Sequence, residues 1–592
     1  MMQLPSDRDP RDRTVLWLGL WFVLGLGLRL THLALKPAWM DEVSTVIFSL
    51  GNSTYELGLD RVLSLQEALR PLTIDPSATV GDTIRYLLAE NNHPPLYFAI
   101  AHLWSDWFAP HAGLESLAVA RSLSALCGAL AIPLAFWVGR VAFQSSMAGL
   151  LAAAFMAVSP LGVFLSQEAR HYGLAIALVT ASLGCFAIAA QQVWQSRSPT
   201  WRLVLGWLGI NGLAFANHYF SMLTFGGEAV VLGAIAVRQV RQDGAAVLWK
   251  RHWQRIYIAA AGTAIGVLAW APIVLRFYGS PQSSNLNSDL RSLSAWLNPI
   301  IHSLLAPIFT VLTPITFFAD TPIKVAVVAG SIVVMLAIAA WVTPRLIAGT
   351  KAIARDRQGQ IGLWIMGGFW LAMLGIFALI CYGYGADISR GLRYKFTYYP
   401  ALVILLGGIL AHYWPHRDPA GAASLGIPLT RWRLSGRRFV QIVWVVSLIS
   451  SLWVVNNLAF SKFYSPDRFV TFVQTHSEAP VVFATASLIS RKPTAIGIEI
   501  LSVAWEIERH FSPTAPDSLW QGSPEFLVVR RGYGAQKPPH RMLVEQLTPH
   551  PRPFDLWVLN ETPDLTAAQC LPDADTPTGN KGSYRYSHYR CR

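Results

Sequence analysis

The chain carries a series of long apolar runs, most of about 19 to 24 residues, and no other feature limits its fold so tightly. A run of that length matches the helix needed to cross a hydrocarbon layer roughly 30 Å thick, because a backbone in lipid must satisfy its hydrogen bonds within itself. Eleven runs are long or apolar enough, at about 15–35, 117–139, 147–165, 172–191, 203–217, 219–237, 256–277, 323–343, 361–382, 397–414 and 439–459. With 53% of residues hydrophobic and 14% charged, the composition excludes a soluble protein of several domains. The first run exceeds a usual signal-peptide core and no small-residue cleavage site follows it, so it reads as a retained anchor.

Two further segments, 94–108 and 300–318, compete for counting as spans. The first is short and carries His102 and Asp106, and the second is interrupted by Pro307 and Pro314. Lys and Arg exceed Asp and Glu by 47 to 34, a net charge of +13, and the excess sits in a few connections. If both segments are interfacial or re-entrant, and the N-terminus with Arg8, Arg11 and Arg13 is inside, every strongly basic connection is cytoplasmic. These connections carry Arg140; Arg197 and Arg202; Arg238, Arg241, Lys250, Arg251 and Arg255; Arg345, Lys351, Arg355 and Arg357; and Arg431, Arg433, Arg437 and Arg438. The charge is thus a topology signal rather than a nucleic-acid surface.

The same parity turns outward the long loop 36–115, the turn 166–171, the turn at Asn217 and His218, the loops 281–298 and 383–395, and everything after 460. The segment 415–436 reads as an inner connector. The tail, 461–592, changes to mixed polar sequence with strand-like runs at 481–484, 526–530 and 554–559 and a helical pattern at 494–510. It is expected to be a small α/β or α+β domain beside a membrane domain of 1–460. Cys127, Cys185 and Cys381 fall in apolar spans as packing residues, whereas Cys570 and Cys591 lie in the outward tail, where an oxidising compartment would let them pair.

Four motifs share the outward face: WMDE at 39–42, NNHPPLYF at 91–98, SQEARHYG at 166–173 and RGLRYKFTYYP at 390–400. Adjacent carboxylates beside a membrane cost solvation and repel each other, so Asp41 and Glu42 need open water or a chemical task. In this order the motifs resemble the protein O-mannosyltransferase-like family, glycosyltransferase family 39 of the GT-C superfold, which also includes the lipid A aminoarabinose transferase. The resemblance covers about residues 15–460. It implies an α-helical polytopic membrane protein of GT-C type, with about eleven transmembrane helices and interfacial helices in the first outer loop. It also implies transfer of a hexosyl, pentosyl or related group from a polyprenyl-phosphate-linked donor to a protein, lipid or glycan acceptor at the outer surface.

The chemistry of that reaction explains the residue types independently. An acceptor hydroxyl attacking the anomeric carbon needs a carboxylate to take its proton, and the departing phosphate needs cations. Asp41 matches the acidic residue of the family's first outer loop and is the expected general base, with Glu42 as its helper or as an acceptor ligand. Arg393 and Tyr394 match the family's Arg-Tyr motif and are expected at the carrier phosphate, onto which a guanidinium can fork, with Arg390 as a second contact. Their outward position runs against the charge rule, which argues for a role beyond orientation. Glu168, Arg170 and Tyr172 lie in the third outward motif, SQEARHYG, and are expected at the substrate, with Glu168 and Arg170 also able to pair with each other. His93 stands where a related enzyme has lysine before Pro-Pro-Leu, and His218 lies at the outer end of the run 203–217. Both are further substrate-binding candidates.

Glu228 falls in mid-span, where an interhelical hydrogen bond is expected. No spacing of His, Cys or acidic residues is that of a metal site. Divalent-ion use stays open, with Asp41 and Glu168 the pair that could share an ion. A transporter or flippase of lipid-linked sugars is the alternative, but it should show two similar halves and broken mid-membrane helices, whereas here the polar motifs gather at one surface. A third reading is a membrane-anchored binding protein working through its tail. Compact inner loops and the lack of an ER-retention signal favour a bacterial inner (plasma) membrane, with a cytoplasmic N-terminus and periplasmic tail.

Overall fold

In the computed structural model the described residues are 10–108, 113–278, 292–317, 321–414, 425–427, 430–462, 464–490, 494–512 and 520–592. The expected loop 281–298 and connector 415–436 therefore lie largely outside them. The chain divides into two compact units.

The first unit comprises Met1–Leu33, Arg121–Ala271 and Leu286–Ser461 and is almost wholly helical. Among the described residues eight helices are long and apolar enough to cross a membrane, or ten if each of two bent pairs is one span. The helix Tyr399–Ala411 is shorter. Leu293–Val311 is one of the eight, although the sequence reading set its region aside as interfacial or re-entrant. Pro299 and Pro307 are accommodated inside it, and the helix ends before Pro314.

Small residues bring these helices close. A side chain at Gly407 would begin 2.6 Å from the backbone nitrogen of Ala152, so Tyr399–Ala411 lies directly on Ser146–Val158. Ser146–Val158 breaks before Pro160–Ser166 at a 55° bend. Because Pro160 has no N–H, the Met156 carbonyl loses its intrahelical donor. The buried Arg29 guanidinium replaces it, donating to Met156 O at 3.0 Å, Ala157 O at 3.1 Å and Gly25 O at 2.9 Å. Ser447 and Ser451 hydroxyls donate to the third exposed carbonyl, that of Val158. The expected hydrogen bond of Glu228 is present: Ser182 Oγ lies 2.9 Å from its carboxylate, and Trp207 Nε1 donates to the same hydroxyl at 3.2 Å.

The second unit comprises Ala34–Ala120, Pro272–Asn285 and Lys462–Arg592. Its centre is a sheet in the order Val62–Leu63, Glu525–Gly532, Val481–Ile489, Phe554–Leu559, Tyr584–Cys591, Thr578–Lys581, with Cys570–Pro572 paired to Tyr584–Cys591. The apolar runs expected as strands form its centre. Val481–Ile489 pairs in parallel with both neighbours, Phe483 facing Phe526 and Trp557, and strands buried on both faces need such continuous hydrophobic runs. The helix Ile498–His510 matches the expected helical pattern. Cys570 and Cys591 are bonded.

One edge of this sheet comes from the first outer loop, where Val62 pairs with Leu527 and Leu63 with Phe526. The same loop forms Met40–Ser49, Val80–Glu90 and Leu96–Phe108. Thr79 and Asp82 cap Val80–Glu90 reciprocally. Leu96–Phe108 has 13 residues, about 20 Å of helix, which is too short to cross. The buried Glu90 carboxylate accepts from Ser53 Oγ at 2.5 Å, Thr54 N at 3.0 Å and Thr54 Oγ1 at 2.6 Å. Thr54 Oγ1 in turn accepts from Ile496 N, and Tyr55 OH donates to Thr494 O.

Candidate active-site clusters

The arginine motif of the first unit is shaped by an acid that the sequence reading did not single out. After the span Gly359–Tyr384, Gly385 adopts φ +79°, the left-handed region that glycine enters without steric cost. The chain then turns around buried Asp387. Its carboxylate accepts from Ser389 N at 3.1 Å and Ser389 Oγ at 2.5 Å, and pairs with Arg390 Nε at 3.0 Å. Buried Lys395 donates to Ser389 O at 3.1 Å, and His302 Nδ1 lies 3.3 Å from Ser389 Oγ. Burial pushes the Lys395 ammonium down to about 8, against the opposing pull of Asp387. Arg390 is left half-exposed beyond this knot.

Arg393 extends over the ring of Tyr394, 5.3 Å from its centroid, and both are partly exposed. The short helix Leu392–Thr397 is tied down where Thr224 Oγ1 donates to Thr397 O at 2.8 Å. Its aromatic side chains join three predicted site residues. Tyr394 packs on Phe220 at 4.9 Å between centroids, and Phe396 packs on His218 at 4.8 Å and Tyr172 at 6.1 Å. Arg170 lies 5.6 Å over the Tyr172 ring, and His171 meets His218 edge-on at 4.6 Å. His218 Nδ1 accepts from Phe220 N at 3.0 Å, which puts the ring proton of the neutral form on Nε2. Arg170, Tyr172, His218 and Tyr394, drawn from two sequence motifs and the turn at 217–218, are thus joined through Phe396 and Phe220. Glu168 and Arg170 are both buried in the tight turn where Arg170 N donates to Glu168 O at 2.7 Å.

In the second unit the acidic pair occupies the first turn of Met40–Ser49. A helix separates neighbouring residues by about 100°, and the consequence is visible: Asp41 is partly exposed whereas Glu42 is fully buried. Carboxylates belong near a helix N-terminus, where the unsatisfied N–H groups favour negative charge. Asn91 Nδ2 donates to Ser44 Oγ at 3.1 Å, one turn after Asp41, and Asn91 Oδ1 lies 2.5 Å from His93 Nδ1. His93 is therefore tied to the acid-bearing helix through one asparagine. Buried His102 contacts Ser49 O through Nδ1 at 2.9 Å, attaching Leu96–Phe108 to the other end of that helix.

Sequence reasoning missed Asp387, Lys395, Asn91, Phe396 and Phe220 as site-building residues. A signal was available for two of them: Asp387 is the one acid in the 383–395 loop and Lys395 adjoins the Arg-Tyr pair. Among the described residues no three His, Cys, Asp or Glu side chains gather as a metal-binding group.

No protein-family model matches the chain, and no curated protein matches it. Solved structures similar to it include ArnT from Cupriavidus metallidurans in the apo state, at 13% identity over 98% of each chain with a TM-score of 0.48. ArnT from the same organism bound to undecaprenyl phosphate is similar at 13% identity over 99% of each chain, TM-score 0.45. The archaeal oligosaccharyltransferase AglB from Archaeoglobus fulgidus, in complex with an inhibitory peptide and a dolichol-phosphate, is similar at 11% identity. That match covers 80% of this chain and 62% of the other, with a TM-score of 0.40.

Proposed function

We propose that the protein is a membrane glycosyltransferase that moves a sugar from a polyprenyl-phosphate carrier to an acceptor hydroxyl at the outer face of a bacterial inner membrane. The observation that carries this reading is the arginine loop. It holds Arg390 and Arg393 on a frame braced by the buried Asp387 carboxylate. Guanidinium groups on a fixed frame suit phosphate oxygens, and a leaving phosphate is where negative charge grows in this reaction.

In the step proposed, the acceptor oxygen attacks the anomeric carbon as the carbon–oxygen bond to the carrier phosphate breaks. The bonding pair leaves on the phosphate, which Arg393 and Tyr394 hold with Arg390, and the acceptor proton passes to Asp41. Partial exposure of Asp41 suits contact with substrate, whereas buried Glu42 acts by holding its neighbour in place. Arg170, Tyr172 and His218 form a ring-rich surface suited to a sugar face, with Glu168 in the same turn and His93 beside the acid helix as further polar contacts.

The test is transfer of labelled sugar from a panel of polyprenyl-phosphate sugars in purified membranes, comparing wild type with Asp41→Asn and Arg393→Ala. Loss of both sugar transfer and carrier-phosphate release in both variants supports the reading. Wild-type protein that is folded and supplied with acceptor extract, yet turns over no donor, would refute it in favour of transport or scaffolding. A chelator arm in the same assay decides whether a divalent ion takes part.

A further inference from the structure

We propose that Lys462 and Arg509 of the C-terminal segment are positioning residues that set the entry of the acid-bearing helix and hence the place of Asp41. This proposal rests on the reading of Asp41 as the base.

The segment leading into Met40–Ser49 has no regular structure at 37–39, yet Lys36, Pro37, Ala38 and Trp39 are all buried. The helix N-cap is Trp39, at φ −95° and ψ 164°, and it makes no side-chain capping bond. Most helix starts use a Ser, Thr, Asp or Asn oxygen there, and an indole has none to offer. Glu42 N and Val43 N both donate to the Trp39 carbonyl, at 2.9 and 3.1 Å. The direction in which the first turn leaves, and with it Asp41, therefore follows the seating of Trp39.

Two cations of the tail hold this entry. The Lys462 ammonium stands over the Trp39 ring, 4.6 Å from its centroid, within reach of a cation–π attraction. At the other end of the segment Arg509 donates through Nη2 to Ala34 O at 2.6 Å. Its Nη1 is anchored at 3.0 Å by Glu506, whose side chain is 2% exposed. The tail helix Ile498–His510 also packs on Met40–Ser49. Both ends of the 34–39 segment are thus clamped by the sheet-bearing tail, which gives that domain a task in the reaction although it carries no catalytic motif of its own.

The experiment uses the full chain in detergent or native membranes. Lys462→Met is expected to lower kcat roughly tenfold while donor and acceptor KM stay within about twofold, since small misplacement of a base costs rate before binding. Hydrogen exchange at the amides of 40–43 should quicken in the same variant. Lys462→Arg, which keeps a cation able to lie over an indole, should recover most of the rate. Arg509→Gln reads the other end of the clamp if Lys462→Met does not fold.

Unchanged exchange at 40–43 overturns the clamp whatever the reaction, because that measurement needs no substrate. A loss carried by KM alone, or Lys462→Arg as poor as Lys462→Met, also overturns it. Wild-type turnover in Lys462→Met beside an inactive Asp41→Asn overturns this proposal and spares the function. Full turnover in Asp41→Asn overturns both.

Discussion

Replacing Lys395 by Met tests whether the arginine loop is built around a buried charge that the fold tolerates at a cost. In the folded protein burial pushes the Lys395 ammonium from its ordinary 10.5 down to about 8. That difference corresponds to roughly 3 kcal/mol of discrimination against the charged form. The sign follows from proton counting. Between pH 8 and 10.5 the unfolded chain holds a proton that the folded chain lacks, so stability rises with pH across that window. Below pH 8 both states are charged and the full cost applies. Methionine fills a similar volume without a charge but gives up the bond to Ser389 O, worth about 1 kcal/mol. The variant should therefore be more stable than wild type by about 2 kcal/mol at pH 7. Its advantage should shrink above pH 8 and reverse near pH 10, where the remaining charging cost of the wild type falls below the value of its hydrogen bond. Equilibrium unfolding in mixed SDS micelles, followed by tryptophan fluorescence at intervals between pH 6.5 and 10.5, measures the difference. A variant less stable than wild type at pH 7, or a difference flat across pH, would refute the reasoning. Sugar transfer in the same variant should fall, because Asp387 then holds Arg390 without its second cation.

Three further outcomes follow from the packing. Gly407→Ala should lower the thermal midpoint of detergent-solubilised protein, the added carbon meeting Ala152 backbone at 2.6 and 2.8 Å at a cost of about 1–3 kcal/mol; an unchanged midpoint would deny the close approach. Arg29→Leu leaves the Met156 and Ala157 carbonyls without their donor and should destabilise the first unit by on the order of 3 kcal/mol, measured by SDS unfolding, whereas loss of sugar transfer at unchanged stability would point to a direct role instead. Cys570→Ser opens a link spanning 21 residues, and should cost about 3 kcal/mol in full-length protein; the matching check is that reductant shifts wild type to the level of the variant and does nothing more to it.

The sequence by itself determined the class of this molecule. Lipid-crossing helices must be long, apolar and internally hydrogen-bonded, so most candidate spans are legible from length alone; Leu293–Val311 was set aside because its prolines read as breaks, and the runs 203–217 and 397–414 form helices of only 17 and 13 residues. The tail strands were legible for a related reason: a parallel central strand buried on both faces needs an unbroken apolar run, and 481–484, 526–530 and 554–559 supplied them. What tertiary structure decided is what depends on partners far away in sequence. Two residues, Val62 and Leu63, carry no strand signal of their own, yet they complete an edge of a sheet made from residues more than 400 positions later. Asp41 and Glu42 are indistinguishable as adjacent letters, and only the helix that starts at Met40 leaves one partly exposed and buries the other in the core. Asp387 and Lys395 looked like ordinary loop charges beside the arginines, because burial, which gives a charge its leverage, is a property of the folded surroundings and not of the residue.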